Sequence, residues 1–221
     1  MEPIDAIRLL LEAHQNESNA IPMGNYMKNH FPFLGIKKPE REKLVKQFFK
    51  ESEILKQPLD FDFIQELWKK DEREYQYTAL DYLEKSLKKL KKDNLPFLEK
   101  LITTKSWWDT VDIIAPKLIG KLAQDYPEII EEVINGWAVS ENFWLIRAAI
   151  LFQLKWKDRT NEKLLYHYIE KNASTKEFFI QKAMGWALRE YSKTNPDSVK
   201  QFIEGHALPK LTIREGRKYL T

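Results

Sequence analysis

Apolar residues recur along this 221-residue chain at intervals of three and four positions, and rarely at intervals of two. The longer intervals place apolar side chains on one face of an α-helix, whereas an interval of two is typical of a β-strand. Glycine, which weakens both kinds of element, is scarce at 7 residues. The pattern therefore predicts an all-α protein without strands.

Residues that favour helix starts divide this pattern into amphipathic segments. They are Pro39, Asp60, Asn94, Ser106, Pro127, the pair Asn195–Pro196, and Thr212. Pro116 lies inside one segment and is expected to kink its helix. Most connections are short, which favours antiparallel packing of neighbours and predicts about a dozen helices in about six pairs.

A repeat of 34 to 35 residues links the second helices of successive pairs. It aligns EYQYTALDYL, WDTVDIIAPK, FWLIRAAILF and FFIQKAMGWA, so that equivalent positions hold Thr78, Asp112, Arg147 and Lys182. This period is typical of a HEAT-like α-solenoid, in which each repeat packs on its neighbours. Equivalent positions then form a column across a concave surface, about 10 Å apart. We expect Asp112, Arg147 and Lys182 on one wall of that groove.

Two tryptophans share the face of this column. Trp108 precedes Asp112 by one helical turn, and Trp186 follows Lys182 by one turn. Asp112 stands in an aromatic and apolar stretch, where an unpaired carboxylate is costly to bury. Its presence indicates either a catalytic role or an inter-repeat salt bridge to Arg147. The tryptophans predicted to pack in the core instead are Trp68, Trp107, Trp137 and Trp144.

Charge is segregated along the chain, although the net charge of +3 is too small to identify a nucleic-acid binder. Residues 109–141 hold seven acids and two lysines, whereas residues 143–193 hold ten basic and five acidic residues. This distribution suits one anion-facing surface, or simply two solvated faces. With no cysteine and no long apolar stretch, the composition predicts one cytoplasmic domain over residues 1–221, without disulfides, secretory signal or membrane span.

Several long runs closely resemble bacterial DNA alkylation repair enzymes of the AlkD type. They are YMKNHFPFLGIKKPER, TKSWWDTVD, WLIRAAILFQLKWK and STKEFFIQKAMGWALREYSKTNPD, within about residues 23–196. The resemblance implies a solenoid whose concave face binds duplex DNA. It also implies an enzyme that excises purines alkylated at N3 or N7. It implies Asp112, Trp108 and Trp186 at the chemical step, DNA contacts from Arg147 and Tyr26, and no closed pocket for a flipped base.

Other basic residues are weaker candidates for the same DNA-binding track, and each is equally compatible with solvated surface. They are Lys155, Lys157, Lys182 and Arg189. The four histidines lie far apart and cysteine is absent, so we predict no metal site and no cofactor. The expected partner is duplex DNA containing alkylated purines, bound by a monomer because the groove must admit a duplex.

A non-catalytic HEAT-like scaffold that binds DNA or protein is the second hypothesis, because a fold does not establish an activity. The joint presence of Asp112, Arg147, Trp108 and Trp186 favours the enzyme, since a scaffold would not require them together. A nuclease or phosphodiesterase is disfavoured, because no clustered carboxylates or histidines suggest a two-metal site.

Overall fold

The computed structural model describes residues 2–220, and every regular element within that range is helical. The prediction of an all-α fold is confirmed. The helices fall into two compact units, one ending at Leu90 and the other beginning at Lys91. The single domain expected for residues 1–221 stays a prediction. No helix of the described residues is long and apolar enough to span a membrane.

The first unit contains five α-helices. They are α1 (Pro3–Glu12), α2 (Glu17–Tyr26), α3 (Lys38–Ser52), α4 (Phe61–Lys69) and α5 (Arg73–Lys85), with 3-10 turns at Ile54–Lys56 and Leu87–Lys89. Helix α1 packs on α3 and α4, and α5 packs on the same two helices. Their apolar faces share a core that includes Ile7, Leu11, Phe48, Leu67 and Leu80.

The second unit contains nine α-helices within the described residues. They are α6 (Leu95–Thr103), α7 (Trp108–Ile113), α8 (Gly120–Asp125), α9 (Asn135–Trp137), α10 (Phe143–Leu151), α11 (Glu162–Lys171), α12 (Phe178–Tyr191), α13 (Pro196–Gly205) and α14 (Lys210–Gly216). Helix α10 packs on α7 and α12, and α12 packs on α14. These are second helices of successive pairs, and their nearest-neighbour packing is that of an α-solenoid.

Short non-α segments complete the second unit. They are π-helical at Ile114–Ile119 and Ile130–Ile134, and 3-10 at Lys92–Asn94, Lys157–Arg159 and Arg217–Tyr219. Pro116 lies in the first π-helical segment, so the α-helix changes type at the residue where a kink was predicted. A proline lacks the N–H that an α-helical bond at its position needs.

Two of the predicted caps bind as expected. The Asp60 side chain accepts a bond from Phe63 N at 2.9 Å, and Asn195 accepts one from Ser198 N at 3.3 Å. Pro39 occupies the second position of α3 rather than the first. The Asn94 side chain precedes α6 but accepts a bond from Lys91 N, so it closes the preceding turn.

Two predicted caps are wrong because other carbonyls bind the hydroxyl groups. Ser106 Oγ donates to Ile102 O at 2.6 Å, and α7 begins two residues later, at Trp108. Thr212 lies inside α14, and its hydroxyl donates across to Gln181 O of α12 at 3.1 Å. A capping hydroxyl accepts a hydrogen bond from an N–H group in the first turn of its own helix. The Ser106 and Thr212 hydroxyl groups instead donate to carbonyls, so these residues do not mark helix starts.

A buried carboxylate on α5 holds the segment between α2 and α3. Glu74 accepts backbone N–H bonds from Leu34 at 3.0 Å, Gly35 at 2.9 Å and Ile36 at 3.0 Å. Burial raises the pKa of the Glu74 carboxyl, and these backbone bonds oppose the rise. Gly35 has a φ of 88°, and a Cβ there would lie 1.9 Å from Asn16 O. The segment thus combines a glycine-only conformation with a carboxylate that satisfies its N–H groups.

We expect Glu74→Gln to lower the free energy of unfolding by about 2 to 4 kcal/mol, because the carboxamide turns an NH2 group toward buried N–H donors. Urea denaturation measures the loss. Glu42→Gln is the matched control, since Glu42 is exposed and its ion pair with Lys38 is long at 3.7 Å. The control should change stability by less than about 0.5 kcal/mol. Equal stability of the two variants would contradict the proposed clamp.

Candidate functional site

Asp112 on α7 and Arg147 on α10 form a two-pronged ion pair. The guanidinium donates from Nε to Asp112 Oδ1 at 2.8 Å and from Nη2 to Oδ2 at 2.9 Å. The Arg147 side chain is 5% exposed and that of Asp112 is 17% exposed. Asp112 and Arg147, which the repeat places at equivalent positions, are therefore in direct contact, and the inter-repeat salt bridge exists.

This pairing opposes the electrostatic effect of burial on Asp112. Burial raises the pKa of the Asp112 carboxyl, Arg147 lowers it, and the nearby Asp109 carboxylate adds to the rise. Both Asp112 oxygens accept N–H bonds, which is the arrangement of an ionised carboxylate. Arg147 thus favours the charged form in a place where burial alone would favour the neutral acid.

A third bond ties Arg147 to the next repeat. Its Nη1 donates to the backbone carbonyl of Phe179, in the first turn of α12. With this bond, three of the five guanidinium N–H groups serve Asp112 and Phe179. The contact of Arg147 with a DNA phosphate stays a prediction, and it would involve the remaining donors.

Aromatic rings gather at the starts of α7, α10 and α12, beside this pair. Phe179 lies 5.1 Å from Trp107 and 5.0 Å from Trp144 between ring centroids, and Trp144 lies 4.6 Å from Phe143. Trp144 is buried, as are Trp68 and Trp137, so those core predictions are confirmed, while Trp107 is half-buried. This cluster was not predicted from the sequence, although Trp107, Phe143 and Phe179 follow one another at 36-residue spacing.

Trp108 and Trp186 keep part of their surface accessible to solvent. Trp108 is the first residue of α7 and stands one turn before Asp112, and Trp186 lies in the second half of α12. Both are half-buried. A half-buried indole keeps part of its surface available for contact with a ligand, and the roles of both residues stay predictions.

The whole of this site lies within the region covered by one family. The model of a family described as DNA alkylation repair enzyme matches residues 7–220. This chain belongs to that family. No curated protein matches the chain significantly.

One of two similar solved structures supports this family membership. A predicted DNA alkylation repair enzyme from Enterococcus faecalis is 38% identical, with a TM-score of 0.84, over 94% of this chain and 97% of that chain. The smu.31 protein from Streptococcus mutans UA159 is 20% identical, with a TM-score of 0.57, over 82% of this chain and 98% of that chain. The second likeness shows the fold alone.

In this repair-family protein, Lys182 and Arg189 bind a carboxylate that was not predicted from the sequence. Glu215 of α14 lies 3.1 Å from Lys182 and 3.0 Å from Arg189, and it also pairs with Lys218 at 2.7 Å and Arg214 at 3.9 Å. The interactions with Lys218 and then Lys182 lower the pKa of Glu215 to about 2, although burial acts in the opposite direction. Glu215 follows Lys182 by 33 residues, close to the repeat period, so the register could have revealed it.

The remaining predicted residues have different surroundings. Tyr26 ends α2 in the first unit and is 69% exposed. Lys155 and Lys157 are exposed after α10. Thr78 is fully buried and donates to Glu74 O of its own helix, so this equivalent position presents no polar group to a surface. DNA contacts by Tyr26, Lys155 and Lys157 stay predictions.

Close packing of α12 on α14 depends on a glycine. A Cβ at Gly185 would lie 2.5 Å from Glu215 Cβ and 3.0 Å from Thr212 O. We expect Gly185→Ala to lower the free energy of unfolding by about 1 to 3 kcal/mol, because helix backbone has to shift. Gly136→Ala, with nothing within 4 Å of the new Cβ, should instead raise it by about 0.5 to 1 kcal/mol. Urea denaturation compares the two, and a gain in both would contradict this account.

Proposed function

We propose that this protein hydrolyses the N-glycosidic bond of cationic alkylated purines in duplex DNA. The substrates would be 3-methyladenine, 7-methylguanine and bulkier adducts at N3 or N7. The observation that carries the proposal is a largely buried Asp112 carboxylate whose two oxygens are held by Arg147. Membership of a DNA alkylation repair family supports DNA as the substrate.

The chemistry of such a lesion requires stabilisation of a cation more than protonation. Alkylation at N3 or N7 makes the base positively charged, so it leaves as a neutral molecule with the electron pair of the broken bond. The deoxyribose becomes an oxocarbenium ion, to which water adds at C1′ and then loses a proton. In our proposal Asp112 stabilises this cation and orients the water or accepts its proton.

The electrostatic stabilisation that one carboxylate can supply is large enough for this role. Two unit charges about 4 Å apart interact by about 4 kcal/mol at an effective dielectric constant near 20. That energy corresponds to nearly a thousandfold in rate. Trp108 and Trp186 would add about 0.5 to 2 kcal/mol each through their electron-rich faces and would exclude water. Neutral lesions should be poor substrates, because the uncharged base is a poorer leaving group.

Release of the modified base tests the proposal directly. Purified protein in excess is incubated with a duplex containing 7-methylguanine, in EDTA, and free base is detected by chromatography. We expect release under single-turnover conditions well above the spontaneous rate, and no release of guanine from the unmodified duplex. Absence of 7-methylguanine release would overturn the proposal.

A non-catalytic scaffold that binds DNA or protein is the second candidate, and the neutralisation of Asp112 within the ion pair is the observation in its favour. Arg147 offsets the charge of Asp112, as a purely structural bridge between repeats would do. In that case the protein would bind duplex DNA, or a protein partner, and leave the alkylated base in place. The same assay, run beside a binding measurement on the same duplex, separates the two functions.

A further inference from the structure

Glu215 gathers more positive charge than it neutralises. Its carboxylate lies within 4 Å of Lys182, Arg189, Arg214 and Lys218, which we call the Glu215 cluster. Glu215 is only 7% exposed, whereas the four cations are between 24% and 72% exposed. The four cations therefore cover the Glu215 carboxylate and present surplus positive charge to solvent.

The cations of this cluster retain hydrogen-bond donors for a second partner. An ammonium group has three N–H donors and a guanidinium has five, and Arg189 donates to Glu215 through Nη1 alone. Lys218 and Arg214 are the more exposed members, at 47% and 72%. A phosphate oxygen can thus bind these groups while Glu215 keeps them in place.

Lys182 and Arg189 of the cluster lie on the same face of α12 as Phe179, whose carbonyl binds the Asp112 partner Arg147. Phe179, Lys182, Trp186 and Arg189 follow at intervals of three, four and three, which places them in one stripe. The Phe179 carbonyl at the start of the stripe accepts the bond from Arg147. From Lys182 to Arg189 the stripe runs for about 10 Å. Each DNA strand carries a phosphate about every 3.4 Å of helix axis, so a stripe of this length can reach more than one phosphate.

Helix α14 and the turn after it supply half of the cluster's cations. Arg214 lies in α14, and Lys218 lies in the following 3-10 turn, Arg217–Tyr219. The close approach at Gly185 brings both to α12. Without this C-terminal segment, the stripe would present only Lys182 and Arg189 at this point.

We propose that the Glu215 cluster is a binding surface for the sugar-phosphate backbone of DNA, to which the C-terminal segment contributes Arg214 and Lys218. The proposal rests on the proposed function in taking duplex DNA as the ligand. A salt-bridge staple between α12 and α14 with no ligand would have the same contacts, but it would not affect DNA binding.

The salt dependence of DNA binding distinguishes these two roles. Binding to a short undamaged duplex is measured by fluorescence anisotropy over a series of KCl concentrations. We expect Lys218→Gln to reduce the slope of log K against log salt by about 0.9 and to weaken binding at low salt by about 5- to 10-fold. Lys218→Arg should restore both values. Lys171→Gln, at an exposed lysine of α11, is the matched control and should match wild type.

The double variant Arg214→Gln/Lys218→Gln sharpens the test, because its slope should fall by about 1.8. An unchanged slope in the double variant, with wild-type protein bound to DNA, would overturn the surface. Circular dichroism melting confirms that each variant is folded. If wild type binds DNA and the slopes fall but no base is released, the proposed function fails and the surface stands. No DNA binding by wild type would overturn both.

Discussion

Asp112→Asn is expected to slow single-turnover release of 7-methylguanine by about two to three orders of magnitude. Asparagine keeps the shape of the side chain and one acceptor oxygen for Arg147, but it removes the negative charge that would face the sugar cation. Affinity for the duplex should be largely retained, because the proposed role of Asp112 is realised as the glycosidic bond breaks.

The measurement needs enzyme in excess of DNA, so that binding and product release do not limit the rate. Asp125→Asn is the matched control, since Asp125 is an exposed carboxylate that pairs with Lys121 on its own helix. Its rate should stay within about twofold of wild type, as expected for a surface change away from the site. A near-normal rate in Asp112→Asn would eliminate the electrostatic role, even if wild-type protein releases the base.

Arg147→Met is expected to lower the free energy of unfolding by about 3 to 5 kcal/mol, because it leaves a mostly buried carboxylate without its counter-ion. Burial raises the pKa of Asp112 and Arg147 opposes the rise, so the pKa in the variant lies higher still. The folded variant then binds more protons than its unfolded chain, and its stability falls as pH rises. Urea denaturation at several pH values should show the loss shrinking toward acidic pH.

The same shift predicts the pH dependence of base release. A carboxyl with a raised pKa is ionised only at higher pH, so the activity of Arg147→Lys should rise with pH over a range in which wild type is already constant. Lysine keeps the charge but lacks the planar fork that holds both Asp112 oxygens. Superimposable pH profiles for wild type and Arg147→Lys would show that Arg147 does not govern the ionisation of Asp112.

A double variant separates the ion pair from general packing. Asp112→Asn/Arg147→Met removes both charges, so its stability loss should be smaller than the sum of the single losses by about 1 to 3 kcal/mol. Additive losses would mean that the pair contributes no coupling.

DNA binding of Arg147→Met addresses the predicted phosphate contact. The slope of log K against log salt should fall by about 0.9 if that contact exists and stay unchanged otherwise.

The helical class and the alignment of the repeats could both be predicted from the order of residues along the chain. Spacing of apolar residues reports which face of a helix is buried, and this information is local. The 35-residue interval from Asp112 to Arg147 was enough to place both side chains at equivalent positions, and packing of α7 on α10 brought them into contact. Local signals failed at Ser106 and Thr212, where carbonyls outside the predicted helix bind the hydroxyl groups.

Which groups bind one another across helices depends on the tertiary structure. It directed three Arg147 donors to Asp112 and Phe179, gathered Lys182 and Arg189 on Glu215, and placed Glu74 under a segment about 40 residues upstream. Such partners depend on the distance and angle at which helices pack, as the Gly185 contact shows for α12 and α14. Periodicity carries no information on that geometry, because it describes each helix separately.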